Sequence, residues 1–410
     1  MCSISRDGKL ILAAKTLRSL GYGLLSVVLG LYLEEAGFPP VTVGIILTLT
    51  LAGSALLTAI MAAYADRLGR RRVLILSTGL MIASGLAFAI TPNIWLLALA
   101  ALSGTISSTS GEVGPFETVE QAILPQTTGS ENRNRVFGGY HTLGALAVSL
   151  GAWAAALPSW IQTRLSVDIL VAHRLMFGMY AALAALSLMC FIPLSKRVEM
   201  EPTVQGGRAR LLTLHRSRKT ISKLAALFGL DALGGGFVVQ SLLAYWFALR
   251  FQVGGDVLGP VFLGVNLMKA VSYPMAVKVA NHFGLVNTMV FTHLPSNVAL
   301  ILIPLMPNLS LAIVCLLARH LLSQMDVPAR SSYIVAIVEP DERTAATGLT
   351  TLVRTITQAL GPVLAGFLLQ FMNTGAPFFL GGGLKIVYDL ALYFNFRTLH
   401  APEEQVRHLR

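Results

Sequence analysis

Charge is scarce in this sequence. Of its 410 residues, 12% are Asp, Glu, Lys or Arg and 54% are apolar, whereas an ordinary soluble domain is about 25% charged. So thin a polar coat excludes a soluble globular chain and a solvated, disordered one. Cysteine is scarcer still: Cys2, Cys190 and Cys315 form no metal or redox spacing, which removes zinc modules and disulfide scaffolds from consideration. The latter two read as small apolar packing residues. No nucleophile–base set emerges, so an enzyme is not expected. Two glycine runs, Gly234–Gly236 and Gly381–Gly383, are not followed by the Gly-Lys-Ser/Thr of a phosphate loop, so ATP is not the expected energy source. No cofactor and no metal are expected. The first apolar run has no small-residue cleavage site behind it, and no removable signal peptide is read.

Long apolar runs fill the rest. A membrane span takes about 20 such residues. Spans are expected at about 8–35, 42–63, 73–91, 95–124, 135–157 and 170–194, then at about 221–250, 257–279, 285–305, 309–338, 344–370 and 376–396. Residues 196–220 are polar, basic and hold Pro202 and Gly206-Gly207, the composition of a linker. The expected division is therefore a six-helix bundle over 1–195, a cytoplasmic linker over 196–220, a second bundle over 221–397 and a tail over 398–410.

The net charge of +11 does not mark a nucleic-acid binder, because of where it falls. With twelve spans, 22 of the 31 Lys/Arg lie in the termini and alternate loops on one side, and three (Arg164, Arg174, Arg250) on the other. Basic short loops stay cytoplasmic, so both termini are expected inside the cell.

One loop fixes that orientation. Ala62–Arg72, AAYADRLGRRR, packs Asp66, Arg67, Gly69, Arg70, Arg71 and Arg72 between the second and third apolar runs. Charge this dense cannot lie in hydrocarbon. The pattern resembles the loop 2–3 signature of the major facilitator superfamily, the twelve-helix secondary transporters, with Asp66, Arg67, Gly69, Arg70 and Arg71 carrying the match and Ala62 standing where the family has glycine. The resemblance implies an all-α membrane fold of twelve transmembrane helices in two pseudo-symmetric six-helix bundles. It also implies a gate, in which Glu120 latches Arg70 and Asp66 caps near Thr344–Thr347.

The halves repeat in sequence. Arg18, Tyr32 and Phe38 superpose on Asp231, Tyr245 and Phe251 at an offset of 213, and Gly69, Pro92 and Asn93 on Gly284, Pro307 and Asn308 at 215. Glu112 matches Asp326 at 214, and Arg133, Gly138 and Gly151 match Arg343, Gly348 and Gly361 at 210. Order along the chain makes this a repeat.

Ionisable residues inside spans mark functional sites by default. Arg18, Glu112, Asp231, Lys269, Asp326 and Arg354 each lie about ten to twelve residues inside the cytoplasmic end of their span, a layer roughly 15–18 Å deep at 1.5 Å per residue. The resemblance places all six on helices that line or flank a central cavity, so this layer is the expected substrate and coupling site. Glu112 is the expected proton acceptor. The bland alternative is that Asp326 pairs with Arg354 or Lys269 to neutralise a buried charge. Arg330 follows Asp326 by four residues, on the same helix face.

The expected protein is a monomeric secondary transporter of the bacterial inner membrane, with a small charged or polar solute and protons as its partners and no obligate protein partner. Proton-coupled export by antiport follows from the motif's resemblance to exporter branches. Uptake of an anionic or zwitterionic metabolite by symport is the alternative, and a channel or non-transporting receptor the third.

Overall fold

In a bilayer every backbone N–H and C=O must be satisfied within the chain, which leaves helices as the way for apolar runs like these to fold. The computed structural model describes residues 5–111, 114–124, 133–195, 198–199, 216–339 and 342–399, and among them it is helical with no strand. The first part carries α1 (Arg6–Glu35), α2 (Pro40–Leu68), α3 (Arg70–Ile90), α4 (Ile94–Leu102), α5 (Phe116–Ile123), α6 (Arg133–Trp153), α7 (Leu157–Leu165) and α8 (Ile169–Phe191). The second carries α9 (Arg218–Gly236), α10 (Gln240–Phe251), α11 (Gly255–Phe283), α12 (Leu285–Leu302), α13 (Leu309–Ser323), α14 (Asp326–Ala336), α15 (Arg343–Phe371) and α16 (Ala376–Phe396). Taking α4/α5, α6/α7, α9/α10 and α13/α14 each as one interrupted segment, the sixteen α-helices among the described residues form twelve segments. Nine helical stretches among the described residues are long and apolar enough to cross a membrane. Trp95, Phe371 and Phe394 are among many large apolar side chains left on the outside, a surface suited to lipid and not to water.

The chain divides into two compact units, Met1–Gln205 with Val239–Leu263, and Gly206–Val238 with Gly264–Arg410. Grouping by contact thus runs through the seventh and eighth spans. Within the first unit α10 is fastened to α1: Gln240 Nε2 donates to Ser26 Oγ at 2.8 Å and Ser241 Oγ to the Ser26 carbonyl at 2.9 Å.

The sequence repeat has a backbone counterpart. Gly69 and Gly284 open α3 and α12 with φ of 89° and 88°, a left-handed turn that favours glycine. Their carbonyls accept from Val73 and Thr288, each at 3.1 Å. Asn93 and Asn308 both cap the next span, accepting from Trp95 N–H at 3.0 Å and from Leu311 N–H at 3.0 Å. An N-cap asparagine satisfies an orphan donor of the first turn.

The fourth span departs from the continuous helix expected over 95–124. Residues 103–111 and 114–115 are irregular. The local sequence, Ser103 to Gly114, is rich in Ser, Thr and Gly, and short hydroxyl side chains compete with the helix for backbone partners. Ser107 Oγ donates to the carbonyls of Thr109 and Gly111. Neighbouring spans satisfy the freed groups: Tyr180 donates to the Thr105 carbonyl at 2.5 Å, and Ser54 Oγ accepts from Gly114 N–H at 3.0 Å. Irregular backbone at membrane depth survives when protein surrounds it in this way. The tenth span, its repeat partner, is also interrupted, between α13 and α14.

Candidate functional site

In the second unit small residues bring the backbones close. A Cβ on Gly234 would lie 2.8 Å from the Gly381 carbonyl, and one on Gly236 2.8 Å from Gly361 Cα. α9 therefore lies hard against α15 and α16, and the glycine runs are packing surfaces. That closeness puts Asp231 of α9 among the charges of its neighbours. Its Oδ1 is 2.6 Å from Lys385 Nζ of α16. Its Oδ2 is 3.0 Å from Arg354 of α15 and 3.6 Å from Arg330 of α14. Arg330 also holds Asp326 at 2.5 Å, one turn earlier on the same helix.

A histidine extends the network. His293 of α12 sits with Nδ1 2.8 Å from Asp389 Oδ1 and Nε2 3.7 Å from Asp231 Oδ1. Asn297, one turn on, donates to Asp389 Oδ2 at 2.8 Å. Asp231 and Asp326 thus meet Arg330, Arg354 and Lys385, while Asp389 is held by His293 and Asn297. Charge so buried is stable only when paired and hydrogen-bonded. The members are nearly all inaccessible, but the Arg354 side chain keeps 27% of its surface exposed against 10% for Arg330 and 8% for Lys385. Arg354 is the most exposed cation of the network. Among the described residues no group of three or more His, Cys, Asp and Glu is arranged to hold a metal ion.

The first unit builds a smaller charge site. Arg18 of α1 pairs with Glu120 of α5 at 2.8 Å, both side chains fully buried. Tyr140 donates to the same carboxylate oxygen at 2.8 Å. The Arg18 guanidinium lies 4.3 Å from the Phe116 ring centroid and 5.4 Å from that of Phe191, and the Lys15 ammonium 4.5 Å from that of Tyr140, cation–π contacts that ease the desolvation of both. These rings belong to a core that also takes in Ile11, Val73, Leu74, Val119 and Ile123.

Glu120, expected to latch Arg70, is ion-paired with Arg18: α1 and α5 share that apolar core, and an arginine buried there requires a carboxylate. The Arg70 guanidinium donates to the Ala122 carbonyl at 3.3 Å. What anchors the loop is Glu199, whose carboxylate accepts from the N–H groups of Arg70 at 2.7 Å and Arg71 at 3.2 Å, an anion at the positive end of α3. Arg71 Nη2 donates to the Ile192 carbonyl at 2.5 Å. Gly69 turns the chain into α3 beside that carboxylate. The side chains of Asp66 and Arg67 lie outside those described, and Glu112 lies outside the described residues altogether.

Lys269 is near Asn266, 3.3 Å from its Oδ1, in a group with Arg319 and His320, which contact each other at 3.1 Å. Of the sequence layer, then, Asp231, Asp326 and Arg354 come together with Arg330, and Lys385, His293 and Asp389 complete the set. Lys385 lies eleven residues before the end of α16 at Phe396, so the depth count applied to the twelfth span finds it. Asp389 follows it by one turn. His293 carries no comparable mark, since a membrane histidine is most often a plain helix contact.

The comparisons agree with this architecture. The family model described as Major Facilitator Superfamily matches residues 11–318 and 224–409. An uncharacterized membrane protein of Saccharomyces cerevisiae, YJR124C, is 30% identical over 427 aligned residues, which cover 97% of this chain and 95% of the yeast protein. Among solved structures, the nucleoside transporter NupG superposes with a TM-score of 0.74 at 14% identity, over 95% of this chain and 99% of its own. The human organic anion transporter MFSD10 (TETRAN) does so with a TM-score of 0.61 at 19% identity, over 94% and 99%. At such identities the structural likeness speaks for the fold.

Proposed function

Because this chain belongs to the Major Facilitator Superfamily, we propose that it is a secondary active transporter that carries a small anionic organic solute across the membrane by alternating access, with protons as the coupling ion. Two six-helix bundles, 1–195 and 221–397, joined by the linker 196–220 and followed by the tail 398–410, are its working parts. It acts as a monomer in the plasma membrane with both termini in the cytoplasm.

One observation carries the solute class. In a network whose carboxylates are all engaged, Asp231 and Asp326 by cations and Asp389 by His293 and Asn297, the most exposed member is a guanidinium, Arg354. A cationic solute would find each carboxylate already taken, whereas an anion finds a planar donor able to hold carboxylate or phosphate with two hydrogen bonds. The same balance favours cotransport. A proton added to the network raises its positive charge by one and strengthens its hold on an anion, so proton and anion travel together. Antiport requires the opposite sign, a proton that weakens solute binding. Export by antiport, implied by the loop signature, is separated from uptake by the direction of net flux in cells that lack the protein.

A thermal-shift screen of the purified protein against anionic, neutral and cationic metabolites tests the class. A specific anion at about 100 times its Kd is expected to stabilise the fold by about 2.7 kcal/mol, and Arg354→Gln to abolish that gain. Stabilisation confined to cations or neutral solutes contradicts the reading.

A further inference from the structure

His293 differs from every other member of the network in that both of its ring nitrogens face carboxylates. Nδ1 is 2.8 Å from Asp389 Oδ1, and Nε2 is 3.7 Å from Asp231 Oδ1. With Asp389 ionised, its carboxylate accepts from Nδ1–H, and a neutral ring then turns the lone pair of Nε2 toward Asp231. A proton on Nε2 converts that opposition into attraction. Asn297, which donates to Asp389 Oδ2 and lies 3.1 Å from Nδ1, holds the Asp389 carboxylate in the position that fixes the ring.

The other groups around the ring are accounted for. From α16 come Lys385, on the same Asp231 oxygen, and Tyr388, whose ring meets the imidazole edge-on at 5.9 Å. From α14 come Arg330 and, through it, Asp326. From α13 come Arg319, within electrostatic reach of Asp231, and His320, in contact with Arg319. Asp231 is the shared element. Its Oδ1 serves Lys385 and faces His293, while its Oδ2 serves Arg354 and Arg330. A charged imidazole draws on Asp231, and the added positive charge falls on the most exposed cation, Arg354.

Resting on the transport reading above, we propose that His293 is the proton-binding group of this site, and that its proton and a solute anion at Arg354 bind together. Linkage is reciprocal: a proton that tightens the anion is itself tightened by it, by the same factor. Asp389 positions the ring, and Asp231 passes the change of charge to Arg354. The balance is simple, since one proton is taken up at Nε2 per monoanion bound and both leave together.

The test has two arms on the full-length purified protein. In the first, imidazole nitrogens are labelled with nitrogen-15 and followed by NMR as the pH falls from about 8 to about 5, the range in which histidine ordinarily changes charge. The signal missing from His293→Gln is expected to gain its second proton. A ring that stays singly protonated throughout overturns the proposal, whether or not any anion binds. In the second arm, lactate and dimethyl phosphate, monoanions throughout that range, are titrated calorimetrically at both ends of it. Wild type is expected to bind at least one of them about tenfold more tightly at the acidic end with uptake of a proton, and His293→Gln to bind it equally at both. Which probe responds separates a carboxylate from a phosphate solute. Binding that is equal at both ends in wild type overturns the coupling and leaves the transport reading standing. Binding of neither probe while the ring titrates counts against the anion class and so against the joint binding built on it. Should His293→Gln not fold, Asp389→Asn serves: the loss of the Nδ1 carboxylate is expected to move the NMR transition to lower pH, and an unmoved transition overturns the positioning role.

Discussion

Asp231→Asn is expected to abolish transport and to lower the stability of the folded protein by about 3–5 kcal/mol, the range for removing one partner of a buried ion pair. Lys385, Arg354 and Arg330 all lie within 4 Å of this one carboxylate. Asparagine keeps the shape and offers hydrogen bonds but takes from Lys385 and Arg354 the carboxylate they meet and leaves Arg330 with Asp326. The cost is therefore an uncompensated buried charge, and it is expected to be relieved by deleting a cation. Asp231→Asn combined with Lys385→Met removes the more buried of the two cations that lose their carboxylate with a side chain of similar length, and part of the lost stability is expected to return while transport does not. Thermal unfolding in detergent reads the first quantity and flux in vesicles the second. A single mutant as stable as wild type would show that the network is not needed to neutralise the buried cations.

Glu120→Gln is expected to have an effect of the same order in the first unit. Arg18 and Glu120 are both fully buried at 2.8 Å, and the same carboxylate oxygen also accepts from Tyr140. Neutralising it removes the counter-charge of an arginine that cannot reach water, again a loss of about 3–5 kcal/mol. Phe116 and Phe191 beside the guanidinium offset part of it through cation–π attraction. Arg18→Met together with Glu120→Gln is expected to be more stable than Glu120→Gln alone, since a neutral pair needs no partner. Additive losses in the double mutant, measured by thermal unfolding, would show that the two residues act independently.

The fold was largely legible because lipid imposes a simple code. Spans are long apolar runs and turns are the few polar places between them, so α16 occupies the expected 376–396 and α12 begins at the expected Leu285. Glycine and asparagine at matched places in the two halves carried the repeat into backbone geometry at Gly69, Gly284, Asn93 and Asn308. The break in the fourth span was not read, because the apolar runs on either side of the hydroxyl-rich stretch were joined into one helix across it. Its irregularity depends on Tyr180 and Ser54, which lie far off in sequence.

Charges were found more easily than their pairings. That Asp231, Asp326 and Arg354 belong to one site follows from depth, and the Asp326–Arg330 contact from helical spacing. Which cation meets which carboxylate is set by tertiary packing. The glycine contacts that draw α9 onto α15 and α16 give Asp231 both Arg354 and Lys385, and no count along a single helix reveals that. Glu199 was missed for the same reason, since it caps a helix that begins 129 residues earlier.

Purified protein in sealed vesicles, given an acid exterior and the anion that stabilises it in the thermal-shift screen, offers the most direct measurement. The expected result is accumulation of that anion against its gradient, collapsed by a protonophore and absent in Arg354→Gln. Equal accumulation by Arg354→Gln, or uptake indifferent to the pH gradient, would contradict the claim that a proton and an anion are carried together through this site.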